Sequence, residues 1–160
     1  MEVVFTDIRS ALLASVYEIK NPPEVLFFQS ALALQCFTNE YIYNQNDKET
    51  LAIEVLEAEV RESLLRGEQP SPQSILCLAS YKSLHQYKWS NLIILTSIIE
   101  EVVTRQILEP KQENLLKSNI LVLQEITNKV SSKVREQYEE SPYPRWINMG
   151  LSLKPVSYTH

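Results

Sequence analysis

Few residues in this chain could do chemistry. Its histidines are His85 and His160, and its cysteines are Cys36 and Cys77. A Cys–His nucleophile would have to join Cys77 to His85, about two helical turns apart on one helix. A serine triad would also need His85, but no nucleophile elbow accompanies it. His85 stands between tyrosines in YKSLHQYKW, where a helix end and a local hydrogen bond are expected. Zinc finds two cysteines without CxxC spacing and a histidine in the tail. Both cysteines fall inside apolar helical patterns and are expected to be buried, reduced thiols. Glu100-Glu101 and Glu139-Glu140 lie on polar helix faces and read as solvated charge. The two glycines, Gly67 and Gly150, leave no GxGxxG and no P-loop to cradle a phosphate. The expected catalytic, cofactor-binding and metal residues in this chain are therefore none.

Composition narrows the class further. A chain of 160 residues can bury a substantial core as one domain. The net charge of −5, with scattered Lys and Arg, argues against nucleic acid and against an anionic membrane surface as partners. The N-terminus MEVVFTDIRSALL lacks a basic region and a cleavage site. The apolar run at 92–99 is too short to cross a bilayer. A cytoplasmic protein is expected.

These residues must be positioned by helices, because so few glycines argue for long helices with simple connections. Thr6 is expected to cap a first helix running to about Glu18. Asn21-Pro22-Pro23 breaks the chain and opens a second, about 23–44, apolar almost all round and hence expected to be covered on most sides. Asn46 and Glu49 have capping-box spacing for a third, about 47–66. It is expected to bury Ile53, Leu56, Val60 and Leu64, to pair Glu57 with Arg61 and Glu62 with Arg66, and to stop at Gly67. Ser71-Pro72 opens a fourth that ends near His85. Ser90 is expected to cap a fifth to about Leu108, with Leu92, Leu95, Ile99 and Val103 buried and Glu101 paired to Arg105. Pro110 ends or restarts it, and a short helix follows at about 111–117. The last, about 123–139, sets Leu123, Ile126, Val130, Val134 and Tyr138 on one face until Ser141-Pro142 stops it. With no internal period, the expected fold is all-α: a non-repetitive bundle of six or seven helices over 1–146, with an extended tail or linker at 147–160.

Two stretches carry more than helix formation requires. In QCFTNEYIYN, Asn39 and Glu40 interrupt a very apolar helix. Either the helix passes from core to surface there, or Phe37, Asn39, Glu40, Tyr41 and Tyr43 form a patch facing a partner. In SPYPRW, prolines stiffen a segment that displays Tyr143, Arg145 and Trp146. It is either a tail packed on its own bundle or a docking segment or hinge.

Four strings, QCFTNEYIYN at 35–44, LASYKSLHQY at 78–87, the RQ-x-x-EP pattern at 105–110 and REQYEESPYPRW at 135–146, occur in the order of a known family. Over about residues 30–148 the chain resembles the helical region of bacterial proteins that fuse tetratricopeptide repeats to an S-adenosylmethionine-dependent methyltransferase domain. The resemblance implies a non-catalytic spacer and protein-recognition module beside a class I methyltransferase domain, in cis or in trans, with a protein as possible substrate or partner. S-adenosylmethionine is implied for that domain, whose strand and glycine-rich turn this chain lacks. Tyr138, Pro142, Tyr143, Pro144, Arg145 and Trp146 match the family's segment at the junction with the catalytic domain. By that analogy Tyr143 and Trp146 pack near the cofactor edge and Arg145 pairs with an acidic group, so this segment could instead be part of the active site, covering the cofactor pocket. A free-standing helical interaction module, with an apolar groove for a helix or peptide, is the third reading.

Overall fold

The computed structural model describes residues 2–17, 22–117 and 129–140. They are all-α, a non-repetitive bundle with no strand among the described residues. Contacts divide the chain into two units, Met1–Ile120 and Leu121–His160.

In the first unit, α1 spans Glu2–Ala14, α2 Pro23–Thr38, α3 Asp47–Leu65 and α4 Pro72–Ala79. A last helix is continuous but not uniform: α5, Glu100–Val103, passes through a π turn, Thr104–Leu108, into α6, Glu109–Lys117. The second unit contributes α7, Lys129–Glu140. Of the face expected on that last helix, Val134 is half exposed. Leu123 and Ile126, the side chains of Val130 and Tyr138, the stop at Pro142 and the tail all lie outside the described residues.

The core is organised around α4, whose Ile75, Leu76, Cys77, Leu78 and Ala79 are all buried. It packs against α1, α2 and α3, and α2 also packs against α5. Leu56, Val60 and Leu64 of α3 join it, together with Val102, Val103 and Ile107. Each such aliphatic side chain contributes about 1.5–3 kcal/mol by leaving water. A smaller cluster of Leu32, Cys36 and Tyr43 is covered by Phe5, Ile8 and Leu12 of α1.

Local signals set several boundaries as expected. The Asn46 side chain accepts from the Glu49 N–H while Glu49 accepts from the Asn46 N–H, a complete capping box. Gly67, at φ 81°, ends α3 with the Glu68 N–H on Ser63 O and its own N–H on Leu64 O. Ser71 caps α4 through the Ser74 N–H. Glu57–Arg61 and Glu62–Arg66 pair at 3.7 and 3.9 Å.

Other boundaries differ. Thr6 does not cap α1 but lies inside it, because the helix starts earlier and carries Phe5 onto the small cluster. The helix gives way to a turn after Ala14, before Glu18. α2 stops at Thr38, not near 44. Glu40 and Tyr41 adopt left-handed φ of 55° and 56°, and the Tyr41 N–H returns to Cys36 O at 2.9 Å. This is the same helix stop as at Gly67, made without glycine at about 1–2 kcal/mol per residue. α2 is not covered all round either: Phe27 and Phe28 remain 59% and 48% exposed. α4 ends at Ala79 rather than His85. No helix starts at Ser90: residues 90–92 form one 3-10 turn and 93–96 are non-helical. Leu92 and Leu95 are accordingly exposed, whereas Ile99 and Val103 are buried. Arg105 pairs with Glu109 at 3.3 Å, not with Glu101.

Pro110 neither ends nor restarts the last helix. In an α-helix its ring would meet the carbonyl four residues back. The π turn relieves this, with the Glu109 N–H bonded to Thr104 O, five residues back. The turn also carries Gln106, fully buried, into the core. Its Nε2 donates to Ala33 O and Ala79 O at 3.2 and 3.1 Å, and its Oε1 accepts the Leu84 N–H at 3.1 Å. The RQ-x-x-EP pattern thus staples α2, α4 and the 84–86 turn together.

Candidate functional site

α3 presents Thr50, Ile53, Glu54, Glu57 and Arg61 along one face, at spacings of three and four residues. The wall opposite is the chain that leaves α4. Tyr81 is buried and donates to Glu49 Oε1 at 2.7 Å. Leu84 is fully buried and held by Gln106. Lys82, between these two anchors, is left outside. The chain then turns through a 3-10 helix, Leu84–Gln86, and brings Tyr87 and Trp89 inward. Their rings stack at 4.7 Å and 19°. Trp89 Nε1 donates to Glu57 Oε1 at 2.8 Å, joining the two walls.

The result is an open groove of about 480 Å³, within the range of ligand sites. Ile53, Tyr87 and Trp89 give it apolar surface. Gln45, whose Nε2 donates to Thr50 Oγ1 at 2.9 Å, and Gln86 supply uncharged polar groups. The Lys82 ammonium lies 5.0 Å from the Tyr87 ring centroid, a cation–π distance. Tyr87 is 8% exposed, and its hydroxyl has no hydrogen-bond partner among the described residues. Burial, then the charge of Glu57, pushes this phenol well above its ordinary pKa, so it remains a proton donor. Among the described residues, the lining contains no cysteine, serine or histidine.

Of the residues expected at a partner patch, Phe37 and Tyr41 are half-buried and meet edge to face at 6.4 Å. Tyr41 donates to Ala79 O at 3.2 Å, and Asn39 Nδ2 donates to the Tyr43 hydroxyl at 2.8 Å. Glu40 is exposed. Tyr43 does not belong to an open patch: it is 7% exposed, beneath Phe5 and with the Arg9 guanidinium 5.9 Å from its ring. The two left-handed residues fold the stretch back against α1 and so draw Tyr43 inward. The junction residues Pro142, Tyr143, Pro144, Arg145 and Trp146, and the side chain of Tyr138, lie outside the described residues.

Cys36 and Cys77 are buried free thiols, and burial pushes them up to about 11 and about 12. Cys77 is therefore no thiolate nucleophile for His85, which is exposed and bonded locally to Ser83 Oγ at 2.7 Å through Nδ1. No cluster of three metal-ligating side chains occurs among the described residues, and no helix among them is long and apolar enough to cross a membrane. Sequence reasoning missed the groove, although YKSLHQYKW contains one of its walls. Its signal was the spacing of lysine and aromatic residues, which acquires meaning only once α4 stops at Ala79. No family profile, curated protein or solved structure matches this chain.

Proposed function

We propose that this chain is a non-catalytic, cytoplasmic α-helical module of a methyltransferase-type protein, serving as a spacer and protein-recognition surface beside a class I methyltransferase domain in cis or in trans. The observation that carries this reading is the groove between α3 and residues 82–89. It is open, of ligand size, and lined by aromatic, carboxamide and charged side chains without a reactive set. One of its walls belongs to the 78–87 string on which the family resemblance rests. The described residues contain no strand followed by a glycine turn, the element that cradles S-adenosylmethionine in a class I domain, and Gly67 ends a helix. The cofactor belongs to the catalytic domain in this reading.

Calorimetry of the chain with S-adenosylmethionine is expected to give no saturable heat. Micromolar affinity would transfer the chain to the enzyme class. The gene downstream of His160, or a neighbouring gene, is expected to encode a strand followed by a glycine-rich turn. Finding neither removes the methyltransferase part of the reading and leaves a free-standing recognition module.

A further inference from the structure

We infer that the groove takes an extended peptide segment of about five residues bearing carboxylate side chains. The inference rests on the recognition reading above and specifies its ligand.

Length comes first. Thr50 to Arg61 is three turns of α3, a wall about 16 Å long. An extended chain covers that distance in about five residues. The groove is open along this wall, with about 480 Å³ of space beside it.

Charge comes second. Three basic side chains, Arg61, Lys82 and Lys88, and two acidic ones, Glu54 and Glu57, line the groove. Glu57 is already engaged, accepting from Trp89 Nε1 and lying 3.7 Å from Arg61. Lys82 and Lys88 have no carboxylate within 4.0 Å among the described residues. The wall at 82–89 therefore offers two ammonium groups without an ion-pair partner among the described residues, beside the Tyr87 and Trp89 rings. Carboxylates of a ligand would complete these pairs. Drawing Lys82 from the Tyr87 ring would also open the ring face to an apolar side chain between two acids. Gln86 and Gln45 can meet peptide N–H and C=O groups, which alternate along an extended strand.

A peptide fits better than nucleic acid. Glu54 and Glu57 line the same groove, and the chain as a whole carries −5, so a long polyanion would be repelled beyond the local basic wall. A short acidic segment engages only charges within a Debye length of about 8–10 Å.

Trp89 lies in the groove and reports on it. In the full chain carrying Trp146→Phe, Trp89 is the sole tryptophan. Its emission is followed with acetyl-Glu-Leu-Glu-Leu-Glu-amide, acetyl-Lys-Leu-Lys-Leu-Lys-amide and a thymidine pentanucleotide. The acidic peptide is expected to give a saturable change, weakened at least tenfold by Lys82→Glu with Lys88→Glu and strengthened by Glu54→Gln. Both substituted lysines are exposed, and an unchanged circular dichroism spectrum separates lost binding from lost folding. Equal binding of the nucleotide overturns the peptide assignment. Binding of the lysine peptide alone overturns the acidic preference while leaving recognition standing. No response to any probe, or an acidic response indifferent to the double lysine variant, overturns the assignment of this groove altogether.

Discussion

Glu49 gathers more buried polarity than any one helical cap requires. Its carboxylate accepts from Ser10 Oγ, from Tyr81 Oη at 2.7 Å and from the Asn46 N–H at 2.9 Å. Beside it, buried Arg9 lies 4.1 Å from the Tyr81 ring centroid and donates to Asn44 O at 2.6 Å. Burial alone would raise the Glu49 pKa, but the hydrogen bonds from Ser10, Asn46 and Tyr81, with the charge of Arg9, hold it below the ordinary value. The sign of the pH effect follows. A depressed carboxyl pKa stabilises the fold above the unfolded value of about 4.3, and this stabilisation is lost as pH falls through the folded value. Glu49→Gln should cost about 1.5–3 kcal/mol at pH 7, since it removes the charge that accepts the Ser10, Tyr81 and Asn46 hydrogen bonds. Urea unfolding at pH 7 and at about pH 3.5 tests this: the gap between parent and variant should narrow at the lower pH. An equal gap at both would mean that the carboxylate's charge contributes nothing there.

At the scale of elements, the π turn and Gln106 determine where the groove's far wall stands, because Leu84 is the point to which Gln106 ties it. Gln106→Met keeps side-chain length but removes the acceptor for the buried Leu84 N–H, at a cost of about 1–3 kcal/mol. The measurements are urea unfolding and amide exchange at Leu84, which should accelerate. Stability and protection both unchanged would show that the staple is ornamental. The elements that were legible in the sequence are those whose boundaries depend on neighbours along the chain. The Asn46/Glu49 box, Ser71-Pro72 and Gly67 each carry their own hydrogen-bond partners or backbone freedom. The stop after Thr38 was not legible because Glu40 and Tyr41 take a conformation for which glycine is the usual sign. What favours it there is tertiary: the Tyr41 hydroxyl on Ala79 O and the burial of Tyr43. The run at 92–99 misleads in another way. Its apolar residues occur at helical spacing, yet Ile93 is buried while Leu92, at the end of the 3-10 turn, and Ile94 and Leu95, on non-helical backbone, face outward. The groove shared this fate, since one wall exists only because α4 ends at Ala79. The fold class, resting on helix signals and scarce glycine, survived these local errors.

At the scale of the molecule, the question is how much chain the fold needs. The sequence suggested a helical domain over 1–146, and among the described residues the buried core of the first unit runs from Leu13 to Ile107. α4 is packed against elements of that unit, and every described residue lining the groove lies between Gln45 and Trp89. α7 is 12 residues long, and residues 131–137 are exposed. Isolated helices of that length are marginal in water, since nucleation fixes several residues for one hydrogen bond. Residues 1–120 alone should therefore unfold cooperatively, with a midpoint within about 5 °C of the full chain, a shift of roughly 1 kcal/mol for a domain of this size. Residues 121–160 alone should show little helical signal. The shorter chain contains Trp89 as its sole tryptophan, so the acidic pentapeptide can be titrated on it directly and should act as it does on the full chain. Loss of the cooperative transition would assign residues 121–160 to the folding unit. A cooperative transition with loss of the peptide response would instead make those residues part of the recognition surface.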